Sequence, residues 1–357
     1  MRLFLLLVFL FGSSICYSQK EDYNWAIGGY QTDPNIDIWG INILNFAGDK
    51  IELKKIGNQI HFTFTSSAIS DKEGKPLFFS NGMDIYDPVC NIIQNGDSIN
   101  YNLYWELWRV GSNLGEFSFG LRLPQGMIML PLPDHPDTIV WLTSNYRIGQ
   151  DPAISEGIFI GKIDVKNDKV KGYELIRGTD SLNCQLQACK HANGRDWWII
   201  APSINHNKYY IYSLKSEGVE YHTSYEVPYN YPISIGQTFF SPIGDKYVHM
   251  VQEGKLPSKG HLSIFDFDRS TGTLSNLRYK KHQSKGLLSG CSFSPDGSKL
   301  YFSNYDDLFQ LDMTKDNPLE HMTLVAKSDF YPSIYPSGNA FENIFTFLSV
   351  APDGKIY

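Results

Sequence analysis

After its first eleven residues this 357-residue chain has no further long apolar run. Nothing downstream approaches the ~20 apolar residues of a membrane-spanning helix, so no span is expected. A basic excess is missing too, with 31 Lys and Arg against 38 Asp and Glu, a formal charge of −7. That balance excludes nucleic acid as an expected partner, since nucleic acid requires a basic face. The five cysteines are too few for a disulfide framework, and no Cys-x-x-Cys or His/Cys cluster has zinc spacing. Histidines are scattered, with no His-x-His or His-x-x-x-His pair among His206, His222, His249, His261 and His282. Ser289 lacks the Gly-x-Ser-x-Gly frame of a nucleophile elbow. Gly28-Gly29 opens no βαβ unit, so it is not a nucleotide loop. No loop has the Asp-x-Asp-x-Asp-Gly ligand density of a calcium site. No catalytic residue, metal or cofactor is therefore expected. Helical periodicity, linkers and low-complexity segments are scarce as well.

What the chain does have begins at its start. Met1-Arg2 is followed by the apolar run Leu3 to Phe11 and then by Gly12-Ser13-Ser14. This is the three-part pattern of a secretory signal peptide. It predicts a leader over residues 1–18, with Gln19 as the new N-terminus. The Ser14-Ile15 flank before Cys16 argues against a lipid anchor. A secreted, extracellular or cell-surface location with periplasmic transit follows. Export permits disulfides, but Cys90, Cys184, Cys189 and Cys291 also read as four small buried residues. Their pairing stays open.

Aromatics are abundant, with 22 Tyr, 22 Phe and 7 Trp, and Gly and Pro punctuate the chain throughout. This composition suits an all-β chain of many short strands. The stretch Phe293-Ser294-Pro295-Asp296-Gly297-Ser298-Lys299-Leu300-Tyr301-Phe302 reads as strand, tight turn and strand. It recurs around Gly74, Asp137, Gly194, Gly244 and Gly354, at intervals of 63, 57, 50, 53 and 57 residues. Each copy has a second half, such as Leu262 to Phe267 followed by a turn at Thr271-Gly272. Two hairpins per repeat make four antiparallel strands, and repeats of this length indicate a β-propeller. Seven blades are expected. The segment Tyr23 to Asn58 holds two more strands, read as completing the last blade. That blade is expected to be truncated, because the copy at Gly354 has no second half. Residues 19–357 form a single propeller domain, incomplete at its C-terminal end.

The turn Ser-Pro-Asp-Gly followed by a basic residue and an aromatic strand resembles the hairpin of TolB-like and WD-repeat-like propellers. A wider resemblance joins six stretches in order. They run from Ile69 to Gly82, Asn95 to Ser98, Leu123 to Pro133, His191 to Trp198, Phe265 to Gly272 and Ala351 to Tyr357. Together they resemble the N-terminal propeller of secreted Bacteroidetes-type proteins exported by the type IX route. The resemblance implies a fragment of a longer protein whose C-terminal sorting domain follows the propeller. It transfers no catalytic residue.

Candidate sites carry two readings each. His191 and Asp196 flank the Asn193-Gly194 turn, either as an acid/base pair or as a structural tie between hairpins. Asp266 and Asp268, with Asp164 and Asp312 at similar repeat positions, are either cation ligands or turn residues. The insertion Asn95 to Gln125 holds Trp105, Trp108 and Arg109, a combination enriched in recognition surfaces. These three are the expected ligand-binding residues. The expected function is a non-catalytic binding or adhesion module for an unidentified protein or glycan ligand. The alternative is a propeller hydrolase, lactonase or lyase with its active site at the central channel. Convergent charged side chains at the channel mouth would favour the enzyme, and Ser, Asn and aromatics would disfavour it.

Overall fold

The computed structural model describes residues 21–29, 40–57, 60–62, 64–100, 118–121, 123–147, 154–205, 207–230, 234–253, 258–284, 286, 289–334, 340–342 and 344–357. The predicted leader and the core of the insertion, including Trp105, Trp108 and Arg109, lie outside these residues. The repeated turn forms as its chemistry requires. Gly297 has φ +70°, and Gly74, Gly194, Gly244 and Gly354 share that left-handed conformation. The Asp296 carboxylate accepts bonds from the Ser298 amide and from the Ser294 and Ser298 hydroxyls. These bonds hold its carboxyl down at about 2. Asp296 is therefore a turn residue. In the looser copy the left-handed residue is Asp134, not Asp137.

Six sheets of three or four antiparallel strands follow one another as meanders. Blade 1 comprises Asn24–Gly29, Gly40–Asn45 and Glu52–Gly57. Blade 2 comprises Ser67–Ser70, Pro76–Ser80 and Ile85–Tyr86. Blade 3 runs through Met127–Pro131, Thr138–Arg147, Ile154–Asp164 and Lys169–Leu182. Blade 4 runs through Gln187–Lys190, Trp197–Pro202, Lys208–Lys215 and Gly218–Glu226. Blade 5 contains Ser234–Phe240, Lys246–Glu253, Ser258–Asp268 and Thr273–Ser284. Blade 6 contains Cys291–Phe293, Lys299–Ser303, Asp307–Asp312 and Met322–Lys327. The described residues hold one short 3₁₀ turn, Pro318–Glu320, and no helix able to cross a membrane.

The core is divided among the blade interfaces. Strand alternation gives each sheet two apolar faces, and five separate clusters fill the spaces between the six blades. Ile41, Ile43, Phe79 and Tyr86 join blades 1 and 2. Trp141, Ile139, Phe78 and Ile85 join blades 2 and 3. Leu142, Ile158, Ile199 and Tyr212 join blades 3 and 4. Trp198, Tyr209, Tyr247 and Phe265 join blades 4 and 5, and Val248, Ile264, Phe293 and Phe302 join blades 5 and 6. No blade covers itself, which is why the units come in series.

Two expectations are corrected. The described residues form six blades rather than seven, because among them the copy at Gly354 contributes a single bridge, Val350–Ile356, and no multi-stranded sheet. Among the described residues the N-terminal strands do not pair with that hairpin. They form a sheet of their own, fastened to blade 2 where Asn24 Nδ2 donates to Ser70 Oγ and to the Gly74 carbonyl, both at 2.8 Å. Trp25 and Phe46 of this region still meet the Tyr357 ring, at 6.1 and 6.3 Å between centroids.

Candidate functional site

The first strands of successive blades lie side by side at the axis, so residues ahead of or within them reach the centre of the ring. Three of those residues are glutamines. Gln125 precedes the first strand of blade 3, and its side-chain amide binds the backbone of Thr238 in blade 5 on both edges. Gln125 Nε2 donates to the Thr238 carbonyl at 2.8 Å, and the Thr238 amide donates to Gln125 Oε1 at 2.8 Å. The amide imitates a peptide group in a strand ladder, and it passes over the start of blade 4. There the Leu186 amide donates to the Gln125 carbonyl.

Gln237 repeats the device two blades on. Its Oε1 accepts the Leu348 amide at 2.8 Å, passing over Gly290 at the start of blade 6. A Cβ at Gly290 would lie 2.2 Å from Gln237 Oε1, so only glycine leaves the passage open. Gln185 sits between the two, fully buried. Its Oε1 faces Asn183 Nδ2 at 3.0 Å and His249 Nε2 at 2.9 Å, and His249 Nδ1 faces the Tyr209 hydroxyl at 2.9 Å. Gln185 Nε2 has no hydrogen-bond partner among the described residues. The Phe64 and Phe347 rings meet edge-on at 5.9 Å across the closing side of the ring.

Among the described residues the axis thus holds neutral amides, with Gln125 and Gln237 bonded to backbone and Gln185 to the side chains of Asn183 and His249. Among the described residues no group of three or more His, Cys, Asp or Glu is arranged to hold a metal ion. Sequence reading missed these glutamines, although a signal existed. Gln125, Gln185 and Gln237 fall 60 and 52 residues apart, in step with the repeat.

Titratable groups converge instead on the flank of blade 5 that faces blade 4. His261 Nε2 lies 2.9 Å from Glu253 Oε1, and its Nδ1 lies 2.7 Å from the Tyr279 hydroxyl. Lys281 Nζ approaches Glu253 at 3.6 Å. Burial lowers the His261 pKa and outweighs the bond from Glu253. Burial works against the charged form of Glu253, yet the His261 hydrogen bond and nearby lysines hold its carboxyl below the usual range. Burial raises the Tyr279 hydroxyl, helped by the Glu253 charge. The group is therefore carboxylate, neutral imidazole and phenol, with the imidazole proton on Nε2 and Nδ1 accepting from Tyr279. The Tyr229 ring stacks on Tyr279 at 4.1 Å. This order of groups is that of an orienting acid, a base and a hydroxyl.

The residues singled out by sequence take structural roles where they are described. His191 stacks on Trp198 at 5.1 Å, and its Nδ1 accepts the Asn193 amide. The Asp196 carboxylate is held low by Arg195 and Asn193. The tie between blades comes from Arg269 of blade 5, which donates to the carbonyls of Lys190, His191 and Ile243. The Arg269 carbonyl accepts Trp198 Nε1 at 2.8 Å. Arg269→Ala is expected to destabilise the protein by about 2 kcal/mol, since charged donors to carbonyls contribute ~1.5–3 kcal/mol. Urea unfolding measures this, and an unchanged midpoint would contradict the latch.

Asp164, Asp268 and Asp312 accept bonds within their own turns, and Asp266 pairs with Arg278 and Lys246. The four cysteines among the described residues are free thiols. Burial pushes Cys90 up to about 11, Cys184 and Cys189 up to about 12, and Cys291 higher still. None is therefore a thiolate nucleophile at neutral pH.

No family model matches the chain, and no curated protein matches it. Solved structures do resemble it. A hypothetical selenium-binding protein from Sulfolobus tokodaii aligns over 94% of this chain and 82% of its own, at 12% identity and TM-score 0.54. A protein from Lactobacillus plantarum aligns over 94% of both chains, at 12% identity and TM-score 0.48. A putative 6-phosphogluconolactonase from Bacteroides uniformis aligns over 94% of this chain and 91% of its own, at 13% identity and TM-score 0.44. At such identities the likeness is one of fold and not of chemistry.

Proposed function

We propose that this chain is a secreted or cell-surface propeller that works as a non-catalytic binding and adhesion module. The observation that carries the reading is the occupied axis. Propeller chemistry at a central channel needs polar groups from several blades to converge on a substrate. Here Gln125, Gln185 and Gln237 use those approaches to bond backbone and neighbouring side chains. On the sequence resemblance, the propeller is the N-terminal part of a longer protein exported by the type IX route, with a C-terminal sorting domain. The ligand is a protein or glycan, met by Trp105, Trp108 and Arg109 of the insertion.

The test has two arms. Glycan and peptide arrays probed with the purified chain are expected to show binding that falls at least about tenfold in the Trp105→Ala/Trp108→Ala double variant, as for hot-spot aromatics. Assays against sugar lactones, aryl esters and glycosides are expected to show no turnover. Turnover abolished by Gln185→Ala would overturn the reading.

A second reading rests on Glu253, His261 and Tyr279, whose order suits ester or lactone cleavage away from the axis. It is distinguished by turnover that survives Gln185→Ala but is lost in His261→Gln.

A further inference from the structure

Strand register sets two lysines beside Glu253, His261 and Tyr279. Lys281 of the outer strand pairs directly with His261, and Lys259 stands two residues before His261 on the third strand. Residues two apart on a strand share a face, and so do residues directly opposite on neighbouring strands. Lys259, His261 and Lys281 therefore lie on one face of blade 5, with Tyr279 two residues from Lys281. Both ammoniums act on the group through their charge. Each draws the Glu253 carboxyl down, and each disfavours a proton on His261.

The positive charge of this corner is only half answered. Among the described residues the charges acting on His261 are Glu253 and the two lysines. The Glu253 carboxylate is already bonded by His261 Nε2 at 2.9 Å, and Lys281 Nζ approaches it only to 3.6 Å. Lys259 has no ion pair among the described residues. The neighbouring cations of the outer strand are engaged elsewhere. Lys280 Nζ donates to the Leu319 carbonyl at 2.9 Å, and Arg278 pairs with Asp266. Two ammoniums thus face one carboxylate, a local positive excess in a chain of formal charge −7. The His261 side chain is 2% exposed and that of Lys281 47%, so the imidazole lies at the base of the corner and an ammonium at its rim.

We propose that Lys259 and Lys281 set the specificity of this site by selecting an ester or lactone that carries a carboxylate. The proposal rests on the second reading above, in which Glu253, His261 and Tyr279 cleave that bond. An excess of one positive charge matches a carboxylate, whereas a phosphate group approaches two negative charges at neutral pH. A lysine ammonium is a compact point charge on a flexible stem, so the pair can hold the carboxylate while the reacting carbonyl lies deeper, toward His261.

The test compares kcat/KM for mono-4-nitrophenyl succinate and 4-nitrophenyl pentanoate, esters of similar length that differ in the carboxylate. The wild type is expected to prefer the succinate by roughly tenfold, chiefly through KM, and the preference should shrink as ionic strength rises. In Lys259→Ala/Lys281→Ala the ratio of the two esters is expected to fall to about one, and in Lys259→Arg/Lys281→Arg it should stay near the wild-type value. Lysines that served only to keep Glu253 ionised would slow both esters together and leave the ratio unchanged. That result, or a wild type that cleaves both esters equally well, overturns the proposal while the second reading stands. Turnover of neither ester removes both.

Discussion

Gly290→Ala is expected to destabilise the fold by about 3–5 kcal/mol, combining an overpacked contact with a buried amide left unpaired. The added Cβ would lie 2.2 Å from Gln237 Oε1 and 2.6 Å from both the Leu348 nitrogen and the Phe347 Cα. The glutamine end can swing away, but the two backbone atoms cannot yield without shifting the strand that holds them. When the glutamine swings, the buried Leu348 amide loses its acceptor. Urea unfolding of Gly290→Ala beside Gln237→Ala checks both halves of the argument. The glutamine variant keeps the space and loses only the acceptor, so its cost should be the smaller. A Gly290→Ala midpoint within experimental error of wild type would remove the axial bridge from the account.

Acidification is expected to weaken the protein between pH 6.5 and about 4, and His282→Leu should abolish most of that slope. Burial depresses the His282 pKa from 6.5 to about 4, helped by the Lys280 charge and by His261 wherever that imidazole is also protonated. The ring packs on Phe302 at 5.4 Å, and a Cβ at Gly260 would lie 2.1 Å from it. Its Nε2 has no hydrogen-bond partner among the described residues. Above pH 6.5 the imidazole is neutral in both folded and unfolded chains and contributes no pH dependence. Below 6.5 the unfolded chain takes up a proton that the folded chain refuses, so stability falls as pH falls. The loss is complete near pH 4, where the folded state also protonates, and it reaches up to about 3 kcal/mol. His261 is depressed in the same direction and adds a smaller slope of the same sign. The turn carboxylates Asp164, Asp296 and Asp312, held at about 2, act only below this window. Thermal melts at pH 7, 5.5 and 4.5 for wild type and His282→Leu decide it. Parallel losses in both proteins would count against His282 as the source.

The hairpins were legible in sequence because a Pro-Asp-Gly corner is fixed by the residues that form it. Asp296 and Gly297 carry their turn wherever it occurs, and the copies at Gly74, Gly194, Gly244 and Gly354 adopt the same backbone. The blade count was less legible. Counting turns credits the copy at Gly354 with a blade and gives none to Asn24–Gly57, whose corners lack that motif. The axial glutamines were invisible for a different reason. Gln125 and Thr238 lie 113 residues apart, and Gln237 and Leu348 lie 111 apart. No local rule links them, and a glutamine carries no mark of whether its amide meets water or backbone. Glu253, His261 and Tyr279 sit on three different strands of blade 5. Only the strand register brings them together, and His261 looked isolated without it.

Those long spans also set an order in time. Each blade is a meander of neighbouring strands, so its contacts close short loops and form early. The bonds of Gln125 and Gln237 cross intervals of more than 110 residues and can close only once the intervening blades are in place. Interactions made after the rate-limiting barrier slow unfolding without speeding folding. The axial amides are therefore the kinetic lock of the ring. In stopped-flow measurements the destabilisation of Gly290→Ala should appear almost wholly as faster unfolding, with the refolding rate close to that of wild type.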